Sequence, residues 1–155
     1  MHVSKLSFCL FCLVGLILTG CGSENTNLPE LTPVNGTVTL NGDPASGVTI
    51  ILYPQQGTNG NAPKDTAFGI SDENGHYAIK HRSGAEGVEP GQYVVTFSKM
   101  VMPDGSTMEK GAEPAAVGAR ELLPKQYTNP QRTKENVTVQ KTQDTYDFAL
   151  KAKKN

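Results

Sequence analysis

The sequence predicts an all-β domain, an antiparallel β-sandwich of about seven strands. Three observations lead there. Short runs alternate apolar and polar residues, the period of a strand with one buried face. Turn sequences rich in Asn, Asp and Gly stand between the runs. After Cys21 no stretch holds the apolar repeat of a long helix. Two sheets follow, because each has one apolar face and needs another to cover it.

Strand signals begin at Val34. Val34, Gly36, Val38 and Leu40 share one face, with Asn35, Thr37 and Thr39 on the other. Asn41-Gly42-Asp43-Pro44 is a turn, since Asn and Gly tolerate positive φ. Val48 to Tyr53 is apolar on both faces, which places it centrally in a sheet, and Pro54 ends it. Gln55 to Asp65 is a Gly-, Asn- and Pro-rich loop. Ala67 to Ile70 and His76 to Lys80 flank the tight turn Asp72-Glu73-Asn74-Gly75 and form the best local hairpin. His81 to Gly91 is a loop, and Gln92 to Ser98 is a strand with Tyr93, Val95 and Phe97 on one side. Met100 to Glu121 has no clear periodicity beyond a helical turn near Glu113, and a connection of that length is functional or mobile. Leu122, Leu123 and Tyr127 pin its end to the core. Val137 and Val139, then Tyr146, Phe148 and Leu150, alternate with polar residues and close the domain as a hairpin turning at Lys141 to Gln143.

The N-terminal part is of another kind. Lys5 precedes an apolar run from Leu6 to Leu18, followed by Leu18-Thr19-Gly20-Cys21 and a polar stretch. A basic start, a short apolar core and small residues before a cut are the marks of a signal peptide, and the run is too short for a membrane span. The four-residue ending resembles the lipobox of bacterial lipoproteins. The resemblance implies cleavage before Cys21 and a lipid on that cysteine. The chain then divides into a signal peptide at 1–20, a lipidated tether at 21–33 and the domain at 34–155. Pro29 and Pro33 stiffen the tether's end. Acyl chains anchor because each buried methylene is worth about 0.8 kcal/mol. Cys9 and Cys12 have the spacing of a redox or zinc pair but lie in the part removed. The mature chain therefore forms no disulfide and relies on its apolar core.

The domain carries a second resemblance, in Val34-Asn35-Gly36-Thr37-Val38-Thr39-Leu40-Asn41-Gly42, Gly47-Val48-Thr49-Ile50 and Ser71-Asp72-Glu73-Asn74-Gly75-His76-Tyr77. It continues in Pro90-Gly91-Gln92-Tyr93-Val94-Val95, Leu123-Pro124-Lys125-Gln126-Tyr127 and Tyr146-Asp147-Phe148-Ala149-Leu150. In that order they resemble the small lipoproteins of planctomycete bacteria that carry a carboxypeptidase regulatory-like domain. That resemblance implies a transthyretin-like (prealbumin-like) sandwich and no peptidase activity. The chain departs from the pattern at Lys141-Thr142-Gln143-Asp144, where members have a Gly-Asn type turn, and in the charged residues Arg132, Lys134 and Glu135.

The composition narrows the functional classes. With 14 basic and 15 acidic side chains there is no basic stripe for nucleic acid. With no Trp, five Tyr and five Phe there is no evident stacking platform for sugars, although Tyr53 and Tyr127 are candidates. His76 and His81, five apart near one hairpin, fall on opposite faces and read as solvated side chains. Transthyretin-like hydrolases of 5-hydroxyisourate use several histidines, an arginine and a tyrosine-rich C-terminus, and this chain ends Lys151-Ala152-Lys153-Lys154-Asn155. No serine sits in a G-x-S-x-G elbow. Asp72 to Gly75 reads as a β-turn rather than a calcium loop. Asn35 and Asn136 match the glycosylation acceptor pattern only by coincidence in a bacterial lipoprotein. The loop carboxylates Glu86, Glu89, Asp104 and Glu109 read as solvated. The expectation is a non-catalytic envelope lipoprotein without cofactor or metal. Cys21 holds it to the membrane on the extracytoplasmic side, periplasmic face or cell surface. It is a structural or protein-interaction module, or alternatively a carbohydrate-binding one, and its partner is an envelope protein or glycan.

Overall fold

Two sheets face each other across one apolar core. The computed structural model describes residues 30–56, 62–108, 111–142 and 145–152. Cys21, the signal peptide, the tether up to residue 29 and the last three residues lie outside the described residues. In chain order the elements are β1 (Asn35–Leu40), β2 (Asp43–Pro44), β3 (Thr49–Pro54), β4 (Ala67–Ile70), β5 (His76–Ala78) and β6 (Lys80–His81). There follow β7 (Gly91–Ser98), β8 (Met100–Val101), β9 (Arg120–Glu121), α1 (Lys125–Thr128), β10 (Asn136–Val139) and β11 (Phe148–Leu150). Among the described residues seven strands have three residues or more, as the alternating runs predict, and the other four are two-residue pieces.

The larger sheet has the order β10-β7-β3-β4-β6, with β3 central and hydrogen-bonded on both sides. The smaller sheet has the order β11-β1-β2, with β5 also paired to β1. Their inner faces supply Val38, Ile50, Leu52, Val95 and Phe97, all essentially excluded from solvent. Pro124 introduces the single turn of α1, which carries Tyr127 onto the core. Four rings cross the interface: Tyr77 to Phe148 at 6.0 Å, Phe148 to Phe97 at 4.8 Å and Phe97 to Tyr127 at 6.3 Å. The buried Ser71 hydroxyl donates to Ala45 O at 2.6 Å and accepts from Val48 N at 2.9 Å, closing the end of β4 against the start of β3.

One expected hairpin forms only in part, and another is absent. The turn at Asp72 to Gly75 forms, with Gly75 N donating to Asp72 O at 3.0 Å, but the strand after it splits. Its first half, β5, pairs with β1 in the smaller sheet, and its second half, β6, pairs with β4 in the larger. The strand changes sheets at Ile79, which makes a corner of the sandwich. The closing hairpin is also replaced. β10 pairs antiparallel with β7, whereas β11 pairs parallel with β1, so the sandwich is not wholly antiparallel. Alternation marks a strand's buried face but not which sheet that face covers, and here the connection crosses from one sheet to the other.

That crossover is fastened to β1. Tyr146 N donates to Asn35 O at 2.8 Å, and Asp147 Oδ1 accepts from Thr37 N at 2.8 Å and Thr37 Oγ1 at 2.6 Å. Gly36 lies directly beneath, where an added Cβ would stand 2.0 Å from Tyr146 O. The tether's last residues belong to this body too. Thr32 is buried and exchanges backbone hydrogen bonds with Val88 at 2.7 and 2.9 Å, so the fold begins ahead of Val34.

Gly36→Ala should cost about 3 kcal/mol in urea unfolding, because the obstacle is backbone and cannot rotate away. A near-neutral midpoint would show that the crossover is not seated there. The Thr37 hydroxyl, then the Thr37 N–H, hold the Asp147 carboxyl below the ordinary carboxylate range, with burial opposing and the His76 charge assisting. A lowered folded-state pKa gives stability that is present above the unfolded value of about 3.9 and lost as pH falls through the folded one. The melting-temperature gap between wild type and Asp147→Asn should therefore narrow from about pH 5 to about pH 2. A gap independent of pH would contradict this role.

Candidate functional site

Among the described residues the two histidines are the first candidates for chemistry. His76 is exposed on β5. His81 is not solvated, contrary to expectation: β6 carries it inward beside Asp65, at 3 % exposure. Its Nδ1 lies 2.8 Å from Ser83 Oγ and its Nε2 lies 3.3 Å from Asp65 Oδ2, without the alignment of a hydrogen bond. Arg82 Nη1 donates to Asp65 Oδ1 at 2.9 Å. That hydrogen bond above all holds the Asp65 carboxyl below the ordinary range; desolvation opposes it, and the Arg82 charge adds to the lowering.

Serine, histidine and aspartate in contact raise the question of nucleophilic catalysis. The polarity fits: Ser83 N donates to His81 Nδ1 at 3.2 Å, so Nδ1 is the acceptor and the Ser83 hydroxyl is the donor. Acyl transfer also needs N–H donors aimed at the developing oxyanion. Here Gly84 N is turned back onto His81 O at 2.8 Å and Ala85 N points to Ser83 Oγ at 3.4 Å. With Ser83 N on the imidazole, all three N–H groups around the serine are engaged inside the turn. The cluster is a clasp that ties the 62–66 loop to the turn after β6.

The remaining sequence candidates are dispersed. Asp72 Oδ1 accepts from Asn74 N and His76 N, each at 2.9 Å, as a β-turn aspartate does. Glu89 accepts from Lys64 N, Glu86 lies at a bridge opposite Lys80, and Asp104 accepts from Ser106 N and Oγ. Glu109 lies outside the described residues. No group of three or more His, Cys, Asp or Glu among the described residues has the spacing to hold a metal. Tyr127 is buried, its ring packed edge-on to Phe97, and Tyr53 is half-buried on β3, so the two give no row of exposed rings.

A different surface stands out, on the outer face of the larger sheet. Cross-strand register places Ile51, Phe68 and Lys80 in one row and Thr49 beside Ile70 in the next. Phe68 is 49 % exposed and Ile70 58 %. The strand is inverted relative to ordinary amphipathicity: its small residues, Ala67 and Gly69, face the core. At Gly69 a Cβ would stand 2.5 Å from Ala78 O and 3.0 Å from Ile79 Cδ1, so the interior has no room for a side chain there. The 100–121 loop borders this face. Glu121 fastens its base by accepting from Ser98 Oγ at 2.6 Å, Lys99 N at 3.0 Å and Leu123 N at 2.8 Å. Met100, Thr107, Met108 and Gly111 then close with Gly47, Thr49 and Ile70 around a cleft of about 410 Å³. Next in sequence to two of these residues, Met100 and Gly47, the Lys99 ammonium donates to Ser46 O, and burial lowers its pKa.

Comparison with known proteins adds little. No family model and no curated protein matches this chain. A crystal structure of a 9R-lipoxygenase from Cyanothece aligns with TM-score 0.34 and 14 % identity over 79 % of this chain. The chain spans 16 % of that protein, and the similarity is too low to carry an argument.

A fluorophosphonate probe should leave Ser83 unlabelled, because no donors wait for the anionic adduct. Labelling at Ser83 that disappears in His81→Ala would overturn the reading of the cluster as a clasp.

Proposed function

We propose that this chain is a lipid-anchored, non-catalytic module of the bacterial cell envelope, akin to the small lipoproteins with a carboxypeptidase regulatory-like domain. The observation that carries the reading is Leu18-Thr19-Gly20-Cys21, placed directly after a short apolar run and before a polar stretch. The sandwich of two sheets is in keeping with it. So is the clasp at His81, where the Ser83 hydroxyl and the N–H groups of Ser83 and Ala85 are engaged within the turn. The domain acts by contact, and its contact surface is the outer face around Phe68, Ile70 and the Met-lined cleft.

Intact-mass analysis of the protein extracted from membranes should find Cys21 as the first residue, carrying acyl chains. Cys21→Ser should block processing or release the protein to the soluble fraction. An unmodified Cys21 in a soluble product would refute the anchor.

A further inference from the structure

We propose that the face around Phe68 and Ile70 rests on the bilayer to which Cys21 is tethered, so that the domain lies against the membrane instead of standing off it. This rests on the lipid-anchor reading and names the partner of the same surface. Phe68 and Ile70 are the exposed large apolar side chains among the described residues. Ile51 continues their patch inward, and Met100 and Met108 continue it across the cleft with flexible side chains that suit an irregular acyl boundary. Lys80, opposite Phe68 on β6, has a stem that can lie along the patch while its ammonium stays among headgroups.

The tether selects the occupant. Its root is Thr32, pinned to Val88. From Thr32 the ladder runs through the 86–88 segment and β6 to β4, which places Phe68 within about 20 Å at ordinary strand spacing. From Cys21 to Thr32 the chain spans at most about 40 Å when fully extended. The tether is therefore long enough to let Phe68 reach the plane of the lipid, and too short to carry the domain far from it. The bilayer is the apolar phase that the chain itself keeps beside this face, and a high local concentration makes a small patch sufficient.

The chain contains no tryptophan, so one introduced indole reports on its own site. Full-length mature protein carrying Phe68→Trp, or Ala149→Trp on the exposed outer side of β11, is reconstituted into phosphatidylcholine–phosphatidylglycerol vesicles containing brominated acyl chains. The Phe68→Trp emission should shift to the blue and be quenched by about twofold or more, with Ala149→Trp almost unchanged. Adding Ile70→Asp to the Phe68→Trp protein should restore the solvent-exposed emission. Equal, weak quenching at both positions would overturn the proposal. A blue shift that grows with protein concentration in the absence of vesicles would overturn it in favour of self-association. To separate this from failure of the anchor, the same variants with Cys21→Ser are held on nickel-chelating lipid by a hexahistidine tag placed just ahead of that position. Quenching at Phe68→Trp on that support sustains the docking face even if Cys21 proves to carry no lipid, and its absence there overturns the docking face alone.

Discussion

The contact on which this structure most depends is the row of rings that joins the two sheets. Phe97 comes from β7 in the larger sheet, Phe148 and Tyr77 from β11 and β5 in the smaller, and Tyr127 from α1 between them. Each such pair contributes about 0.5–1.5 kcal/mol beyond the apolar area it buries. Position matters more than that sum. The three cysteines, Cys9, Cys12 and Cys21, all precede the strands, so no disulfide ties one sheet to the other. Phe148 reaches the row only because the chain crosses between the sheets after β10. The hydrogen bonds of Tyr146 and Asp147 to β1 fix that crossing. The Tyr77 hydroxyl closes the arrangement by donating to Tyr146 O at 2.5 Å, and burial raises its pKa, which keeps it a donor.

Strand positions and the residues they bury were legible in the sequence. Val38, Ile50, Tyr77, Val95 and Phe148 are buried as the alternation required, and Gly42 and Gly75 take positive φ in the turns assigned to them. Strand partners were not legible. The segment from His76 to Lys80 alternates without a break, yet it serves both sheets, because the corner at Ile79 is set by its hydrogen bond to Val34 rather than by any local turn residue. The pattern from Val137 to Leu150 likewise suits a hairpin as well as it suits two strands in different sheets. Period-two patterning carries one bit per residue, inside or outside, and the choice of neighbour is made by the whole core.

The same limit hid the exposed apolar face of β4. In Ala67-Phe68-Gly69-Ile70 the hydrophobic rule sends Phe and Ile inward. The backbone of β5 and the Ile79 side chain lie too close behind β4 for that, and only glycine fits at position 69. Steric space overrode side-chain hydrophobicity, and two large apolar groups were left outside. An alternation of small with large residues, as opposed to polar with apolar, was the one available signal. His81 was misread for a related reason: strand parity predicted that the two histidines would part, but not which of them would be inside. Cys21, by contrast, is visible only to sequence, since it lies outside the described residues.

Hydrogen bonding and burial treat the polar and the apolar side chains of the domain differently. Its polar side chains are engaged locally: Asp72 and Asp104 close turns, Glu121 roots the long loop, and Asp65, His81 and Ser83 hold one another. Its large apolar side chains are not all treated so economically. Filling the interior behind Gly69 is impossible, but nothing in that constraint requires phenylalanine and isoleucine on the outside, where threonine or lysine would serve a β-strand and stay soluble. The steric argument accounts for the small residues in β4 and leaves the large ones to be explained by what they touch.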